Sequence, residues 1–188
     1  MKRAIRSVRN KYEAFEKNRS ECIHLSGRLR AESKAAVNFL VRGEMDRGRQ
    51  QLAKAPAMLK RVNGMLRKDP FLYSVPALNE GFEEYVEAVL LLGYIERGMK
   101  FPSPAELGVN HEVYIGGLCD MTGELVRIAR GDPAKAGKIH HDVSSIYDLC
   151  IPLHVKRNNK VRSKLEDLER NIKRLEVIIY EQKLTSLR

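Results

Sequence analysis

The chain has 188 residues, of which 43% are hydrophobic and 31% are charged, so it is long enough for one domain with a real core. Its formal net charge of +10 at pH 7 favours a polyanionic partner such as RNA, DNA or an anionic membrane surface. The three cysteines, Cys22, Cys119 and Cys150, are widely spaced, which argues against a disulfide framework and a zinc site. A reducing, cytoplasmic compartment is therefore expected.

The N-terminal segment is rich in lysine and arginine and has no apolar core region, so we expect no signal peptide. The longest strongly apolar stretch, residues 88–95, is far too short to span a bilayer. The sequence therefore predicts a protein that has no membrane-spanning segment and no membrane partner.

Proline and glycine divide the chain into pieces of helical length, and no segment alternates convincingly with a period of two. The first helix covers about residues 3–42. Its apolar residues recur every three, four or seven positions and form one stripe: Ile5, Val8, Tyr12, Phe15, Cys22, Leu29, Ala36 and Leu40. A second helical region covers about residues 44–67 and either kinks at Pro56 or divides there into two helices.

The middle of the chain is predicted to form two more helices. The third covers about residues 76–98, since Pro76 is suited to a first helical turn. A loop with two prolines follows at residues 100–108. The fourth helix covers about residues 110–130 and ends before Gly131, a common C-terminal residue of helices.

A fifth helix is predicted from Asp132 and Pro133, an N-cap followed by proline, to about residue 151. The predicted fold is therefore one all-α domain over residues 1–188, an elongated bundle of about six to seven helices. Its long apolar seams favour a homo-oligomer, because a monomer would expose them. The last helix has the clearest heptad seam, with residues alternately four and three apart: Val161, Leu165, Leu168, Ile172, Leu175 and Ile179.

Four carboxylates lie on middle helices that are predicted to be buried. The third helix is apolar on nearly every face around Glu87, and Glu84 lies three residues earlier on the same face. On the fourth helix Asp120 and Glu124 are four residues apart and therefore stack on one face. Three glycines on this helix predict close approach of another backbone: Gly116, Gly117 and Gly123.

Buried carboxylates are costly unless they are paired with a cation, hydrogen-bonded or bound to a metal. A lysine or arginine could supply the counter-charge, and Arg127, three residues from Glu124, is the best local candidate. A shared proton and divalent cations are the alternatives. Such acid pairs are usually solvated or ion-paired, but two pairs in apolar surroundings strengthen the alternative of Mg²⁺ binding and metal-assisted phosphodiester hydrolysis.

Segments at these positions resemble the translin/Trax family. FEEYVEAV is similar to the family's acidic EYVEA segment, and YIGGLCDMTGELVRIA resembles its Y-L-x-G-x-x-D-x-T-G-E-L-x-R segment. LSGRLRAESKAAVNFLVR is similar to an N-terminal family segment, and VRSKLEDLERNIKRLEVIIYE matches the last helix in length and pattern. Together these segments cover most of the chain, and the D-x-T-G-E-L segment is the most specific of them.

The resemblance implies a translin-like α-α superhelix and an octameric shell that encloses nucleic acid. Translin members bind single-stranded RNA and DNA, whereas Trax members supply the catalytic subunit of a Mg²⁺-dependent endoribonuclease. The family's catalytic and metal-binding acids fall by motif position on Glu84, Glu87, Asp120 and Glu124. The chain keeps all four acids, so an endoribonuclease that uses Mg²⁺, with Mn²⁺ as an alternative ion, is expected. The alternative function is a non-catalytic shell that binds single-stranded RNA or DNA.

Phosphate contacts by lysine and arginine should supply most of the RNA affinity. A solvated surface charge is the alternative role for each of these side chains. The histidines show no spacing typical of helical metal ligands, so no catalytic histidine is expected. The first candidates for phosphate contacts are Arg6, Arg9, Lys11 and Arg19 on the first helix, and the second are Lys156, Arg157, Lys160 and Arg162.

Overall fold

A computed structural model describes residues 2–153 and 159–186 of the chain. Within these ranges the secondary structure is helical, with seven longer α-helices, one single-turn helix and no strand. The all-α prediction with about six to seven helices is therefore confirmed. The α-helices are α1 (Lys2–Val41), α2 (Met45–Leu52), α3 (Ala55–Lys68), α4 (Pro76–Arg97), α5 (Pro104–Leu107), α6 (His111–Gly131), α7 (Ala136–Cys150) and α8 (Asn159–Ser186).

Proline and glycine explain most of the helix boundaries. The predicted second region is two helices, and Pro56 lies in the first turn of α3, where its missing N–H is not needed. Gly98 ends α4 with a φ of 71°. The fifth predicted helix begins later than expected, because a 3-10 turn at Pro133–Lys135 precedes α7. Asp132 makes no side-chain cap and instead pairs with Lys135 Nζ at 3.0 Å.

The prediction of a loop throughout residues 100–108 is wrong, because this segment contains the single-turn helix α5. The Ser103 hydroxyl accepts a hydrogen bond from the Glu106 N–H at 3.3 Å, and the Glu106 carboxylate accepts one from the Ser103 N–H at 2.7 Å. This reciprocal capping box satisfies backbone donors that a loop would leave to water. Gly108, at a φ of 66°, ends the turn.

Helix α4 lies between α1 and α6, and α6 packs in turn against α8. Its side chains Val86, Leu90 and Leu91 are fully buried. This confirms the interior position predicted for a helix that is apolar on nearly every face. Helices α2 and α3 lie against α1, and α7 packs against α8.

Two glycines let α4 and α6 cross closely. A Cβ on Gly117 would lie 2.6 Å from the Val86 Cβ and 2.7 Å from the Glu83 carbonyl oxygen, and one on Gly116 would lie 2.9 Å from the Glu83 Cδ. The predicted approach of another backbone is therefore confirmed at Gly117, whereas the atoms nearest to a Cβ on Gly116 belong to the Glu83 side chain. The prediction is wrong for Gly123, where the nearest atom belongs to a side chain of α8 at an ordinary 3.6 Å.

The first residues of α1 lie outside the core. Helix α1 has 40 residues and is therefore about 60 Å long, but its first buried side chain is Cys22. Ile5, Val8 and Tyr12 are each more than 60% exposed. The apolar stripe predicted along this helix is therefore buried in its second part only, and the first part is left on the surface.

The apolar seam predicted on α8 forms its buried face. Val161, Leu168 and Leu175 are buried, and the other members of the seam are half-buried. This face packs against α6 and α7. In the part of the chain that the structure describes, none of the helices combines the length and the apolar character that crossing a bilayer requires.

Candidate functional site

The four predicted acids lie on the facing sides of α4 and α6. Glu84 and Glu87 from α4 and Asp120 and Glu124 from α6 line one cavity of ≈ 400 Å³. Spacings of three and four residues place each pair on one helical face, and the close crossing at the α6 glycines brings the two faces together. The structure thus groups the four carboxylates in space.

Helices α1 and α6 supply the rest of the cavity lining. Lys34, Val37 and Asn38 come from α1, and Arg127 comes from α6. The cavity therefore contains two cationic side chains and an amide beside its four carboxylates. Such a mixture can contact both a cation and a phosphate group.

The two acids of α6 each have a cationic partner. Arg127 Nη1 donates a hydrogen bond to Glu124 Oε2 at 2.5 Å, which confirms the local counter-charge considered for Glu124. Burial raises the pKa of Glu124, although the charge and hydrogen bond of Arg127 oppose the increase. Lys164 Nζ, from α8, donates to Asp120 Oδ1 at 2.6 Å and to Oδ2 at 2.5 Å.

Glu84 is paired with side chains of α1. Lys34 Nζ lies 3.0 Å from Glu84 Oε1, and Arg30 Nε lies 3.5 Å from the same oxygen. Arg30 also donates to Glu80 Oε2 at 2.8 Å. Three helices therefore contribute cations to the acids of the cavity, and Glu84 is held against α1.

Glu87 differs from the other three acids. It is only 8% exposed, and among the described residues it has neither a hydrogen-bond partner nor a cation at ion-pair distance. Burial, together with the negative charges of Asp120, Glu84 and Glu124, raises the pKa of Glu87 to about 8. The charge of Lys164 opposes this increase, but among the described residues no cation lies at ion-pair distance from Glu87, which is therefore mostly protonated at neutral pH.

Carboxylate oxygens are the ligands that a hard divalent cation prefers, so the residue types of the cavity suit Mg²⁺. The present side-chain orientations favour the internal cations, because Lys34, Arg127 and Lys164 contact three of the acids. Across residues 2–153 and 159–186, no three acids, histidines or cysteines are gathered closely enough to hold a metal ion. Metal binding would therefore require these ion pairs to open.

Glu83 is a buried acid that the sequence reasoning missed. Lys160 Nζ donates to Glu83 Oε1 at 2.6 Å, and Lys164 Nζ lies 4.0 Å from Oε2. Glu83 is 7% exposed and lines a separate pocket beside α8. Its position one turn before Glu87 was a visible signal, but the lysine partners come from a distant part of the chain.

The first group of predicted phosphate contacts lies far from the acid cavity. Arg6, Arg9 and Lys11 are exposed on α1, and Arg19 is partly exposed. Arg9 Nε donates to Glu13 Oε1 at 2.8 Å. Arg19 precedes Lys34, the first α1 residue of the cavity, by 15 positions, which corresponds to roughly 22 Å along a helix. Their role in RNA binding stays a prediction.

The second group of predicted phosphate contacts is divided. Lys156 and Arg157 lie outside the described residues. Lys160 contacts Glu83, so its charge already serves a buried ion pair. Arg162 is exposed and pairs with an acid one turn later on α8.

Comparisons with known proteins agree with this architecture. The model of the Translin family matches residues 5–186. The chain is similar to the Translin-associated protein X homolog of Schizosaccharomyces pombe. The alignment is 206 positions long, has 26% identity and covers 96% of this chain and 87% of that protein.

Solved structures show the same fold. The crystal structure of apo-NeC3PO has a TM-score of 0.85 and 28% identity, and the match covers 94% of this chain and 95% of that one. The structure of the AfC3PO–duplex RNA complex has a TM-score of 0.87 and 23% identity, and the match covers 98% and 99% of the two chains.

Proposed function

Because the chain belongs to the translin family, we propose that it is a Mg²⁺-dependent endoribonuclease that cleaves single-stranded RNA within an oligomeric shell. The cavity between α4 and α6 carries this proposal, since two crossing helices line it with four carboxylates. The similarity to a Translin-associated protein X homolog supports the catalytic rather than the binding-only branch.

Glu84, Glu87, Asp120 and Glu124 are the residues that would hold the ion. A bound Mg²⁺ supplies a Lewis acid that lowers the pKa of water and neutralises charge on a phosphodiester. Glu87 would release its proton on metal binding, because a divalent cation provides the counter-charge that this buried carboxyl group lacks. Its raised pKa and its lack of a cationic partner support this role.

Lys34 and Arg127 would hold the RNA phosphate. Both line the cavity, and their side chains are 52% and 51% exposed, so RNA in the cavity could reach them. If Glu84 and Glu124 held the ion, Lys34 and Arg127 would lose their carboxylate partners. Charge-assisted hydrogen bonds to phosphate oxygens would then replace the lost ion pairs.

The proposal includes assembly into a homo-oligomer, for which the resemblance predicts an octamer. The exposed apolar residues of α1, Ile5, Val8 and Tyr12, support assembly, as do Val177 and Tyr180 on α8, which are 55% and 63% exposed. Monomers rarely leave large apolar patches in water. Native mass spectrometry measures the number of chains directly, and a monomer at micromolar concentration would contradict this part of the proposal.

The direct test is cleavage of labelled single-stranded RNA in the presence of Mg²⁺ or EDTA. We expect Glu124→Ala to lose about a hundredfold activity, because it removes a ligand of the ion. Glu80→Gln is the matched control, since Glu80 is a half-exposed acid on α4 that pairs with Arg30 and lies outside the cavity lining. Cleavage that persists in EDTA, or in Glu124→Ala, would refute the nuclease proposal.

One observation favours a second function, which is binding of single-stranded RNA or DNA without cleavage. Three of the four cavity acids already have cationic partners, and such pairs would be purely structural in a binding shell. The same assay distinguishes the two functions. RNA that is retained but stays intact in Mg²⁺ supports the binding shell.

RNA binding itself is tested through the basic residues of α1. Replacing Arg6, Arg9 and Lys11 together with glutamine should weaken RNA retention and reduce the salt slope by about one per lost phosphate contact. Lys173→Gln is a suitable control, because Lys173 is an exposed cation on α8 that pairs with Glu169. An unchanged salt slope in the triple variant would show that these residues do not contact RNA.

A further inference from the structure

Building on the proposed function, we infer that Lys164 is a placeholder cation, by which we mean that its ammonium group binds the Asp120 carboxylate in the metal-free protein and is displaced when a metal ion binds there. Lys164 lies on α8, outside the two helices that carry the acids of the cavity. Its role would be to keep the acid cluster folded while no metal is bound, and to set the affinity with which metal binds.

The contact geometry supports this role. Lys164 Nζ donates to both carboxylate oxygens of Asp120, at 2.6 and 2.5 Å, and its side chain is only 22% exposed. Both oxygens of one proposed metal ligand therefore already have the same cationic donor. Mg²⁺ cannot bind Asp120 at full strength while this ammonium stays in place.

The charges around Lys164 explain why a cation is needed. Burial lowers the pKa of Lys164, but the hydrogen bond and charge of Asp120 and the charge of Glu83 more than compensate, so the pKa is raised overall. The ammonium group therefore stays charged. Without it, Asp120 would be left beside Glu87 and Glu124, with which it interacts unfavourably.

A divalent ion and an ammonium group repel each other strongly at the distances that a shared carboxylate imposes. The lysine stem is flexible and can move its charge away. Lys160 would continue to hold Glu83, at 2.6 Å, and would thus keep α8 attached to α4. The exchange therefore does not require α8 to leave the bundle.

The two cationic side chains that line the cavity are less suited to this role. Lys34 and Arg127 are about half exposed, so water screens their charges and their ion pairs open at little cost. Lys164 is the most buried of the three. Its removal should therefore change metal affinity more than removal of either of the others.

The test measures Mn²⁺ affinity of the full-length protein by titration calorimetry, together with thermal unfolding in EDTA and in Mn²⁺. Lys164→Met should bind Mn²⁺ about tenfold more tightly than the wild type, because the competing charge is gone. In EDTA it should also unfold at a lower temperature than the wild type. Mn²⁺ should raise its unfolding temperature more than it raises that of the wild type. Lys164→Arg keeps the charge and should not bind more tightly than the wild type.

Lys173→Met is the control for lost charge, since it removes one exposed cation from the same helix and should leave Mn²⁺ affinity unchanged. If Lys164→Met binds Mn²⁺ no more tightly than the wild type, Lys164 is only a structural residue and the inference is wrong. If this variant does not fold in EDTA, Lys164→Gln, which keeps a neutral donor for Asp120, is judged by the same criterion.

The proposed function fails in a different way. If the wild type binds no Mn²⁺, or if Glu124→Ala binds Mn²⁺ as tightly as the wild type, the cavity between α4 and α6 is not a metal site. A wild type that binds Mn²⁺ through Glu124, with no gain in Lys164→Met, would contradict the placeholder role alone.

Discussion

Glu83 and Glu87 lie one turn apart on α4 and are almost equally buried, but their surroundings differ. Lys160 and Lys164 of α8 approach Glu83, whereas no cation pairs with Glu87 among the described residues. A buried acid with its cations is a structural link, while a buried acid without them is a group that still needs a counter-charge. The partners of a carboxylate therefore say more about its function than its burial does.

The largest expected effect is on metal binding and RNA cleavage. Glu87→Gln should reduce both by about a hundredfold, because it removes a proposed ligand of the ion. Glu83→Gln should leave Mn²⁺ affinity within a few-fold of the wild type, since Glu83 lies outside the cavity lining. Calorimetry and RNA cleavage on the same preparations check both statements, and equal losses in the two variants would remove the distinction between the two glutamates.

The next effect is on stability, with opposite signs for the two acids. The pKa of Glu87 is about 8 in the folded chain against an ordinary value of 4.5. Its contribution to stability is therefore fully present below pH 4.5 and is lost as the pH rises through 8. Glu87→Gln should accordingly stabilise the metal-free protein at pH 9 by about 3–5 kcal/mol, with little gain at pH 4.

Glu83→Gln should destabilise the protein by about 2 kcal/mol or more, because it removes the buried carboxylate that Lys160 contacts at 2.6 Å and that Lys164 approaches at 4.0 Å. Urea unfolding of both variants at the two pH values, in EDTA, measures the differences. A Glu87→Gln variant that is less stable than the wild type at pH 9 would show that the ionised carboxylate already has a partner.

The smallest expected effect concerns the helix crossing that positions both glutamates. Gly117→Ala should cost roughly 1–3 kcal/mol, because its Cβ would lie 2.7 Å from the Glu83 carbonyl oxygen. Gly137→Ala is the matched control on α7, where an added Cβ meets nothing within 4 Å and should be neutral or stabilising. Equal unfolding midpoints for the two variants would mean that α4 and α6 tolerate a wider separation.

Much of the candidate site could be predicted from local spacing. Residues three or four positions apart share a helical face, so the pairs Glu84–Glu87 and Asp120–Glu124 could be identified on two apolar helices before their packing was known. Arg127 could be found in the same way, because it lies one turn from Glu124. The structure adds that the two pairs line one cavity.

The cations from other helices could not be predicted. Lys34 and Lys164 reach the acids across helix interfaces, and no periodicity within one helix reports which neighbour it packs against. The same limit applies to α1, whose apolar stripe looks uniform from Ile5 to Leu40. Only the packed structure shows that the first part of that stripe stays exposed.

The most direct measurement is anomalous X-ray diffraction from crystals soaked in Mn²⁺. We expect a manganese peak in the cavity between α4 and α6, with ligands from Glu84, Glu87, Asp120 and Glu124 and with Lys164 Nζ displaced from Asp120. A cavity without a manganese peak at saturating Mn²⁺, with the Asp120–Lys164 contact intact, would contradict this expectation. In that case Glu84, Asp120 and Glu124 would be members of structural ion pairs in a basic helical protein.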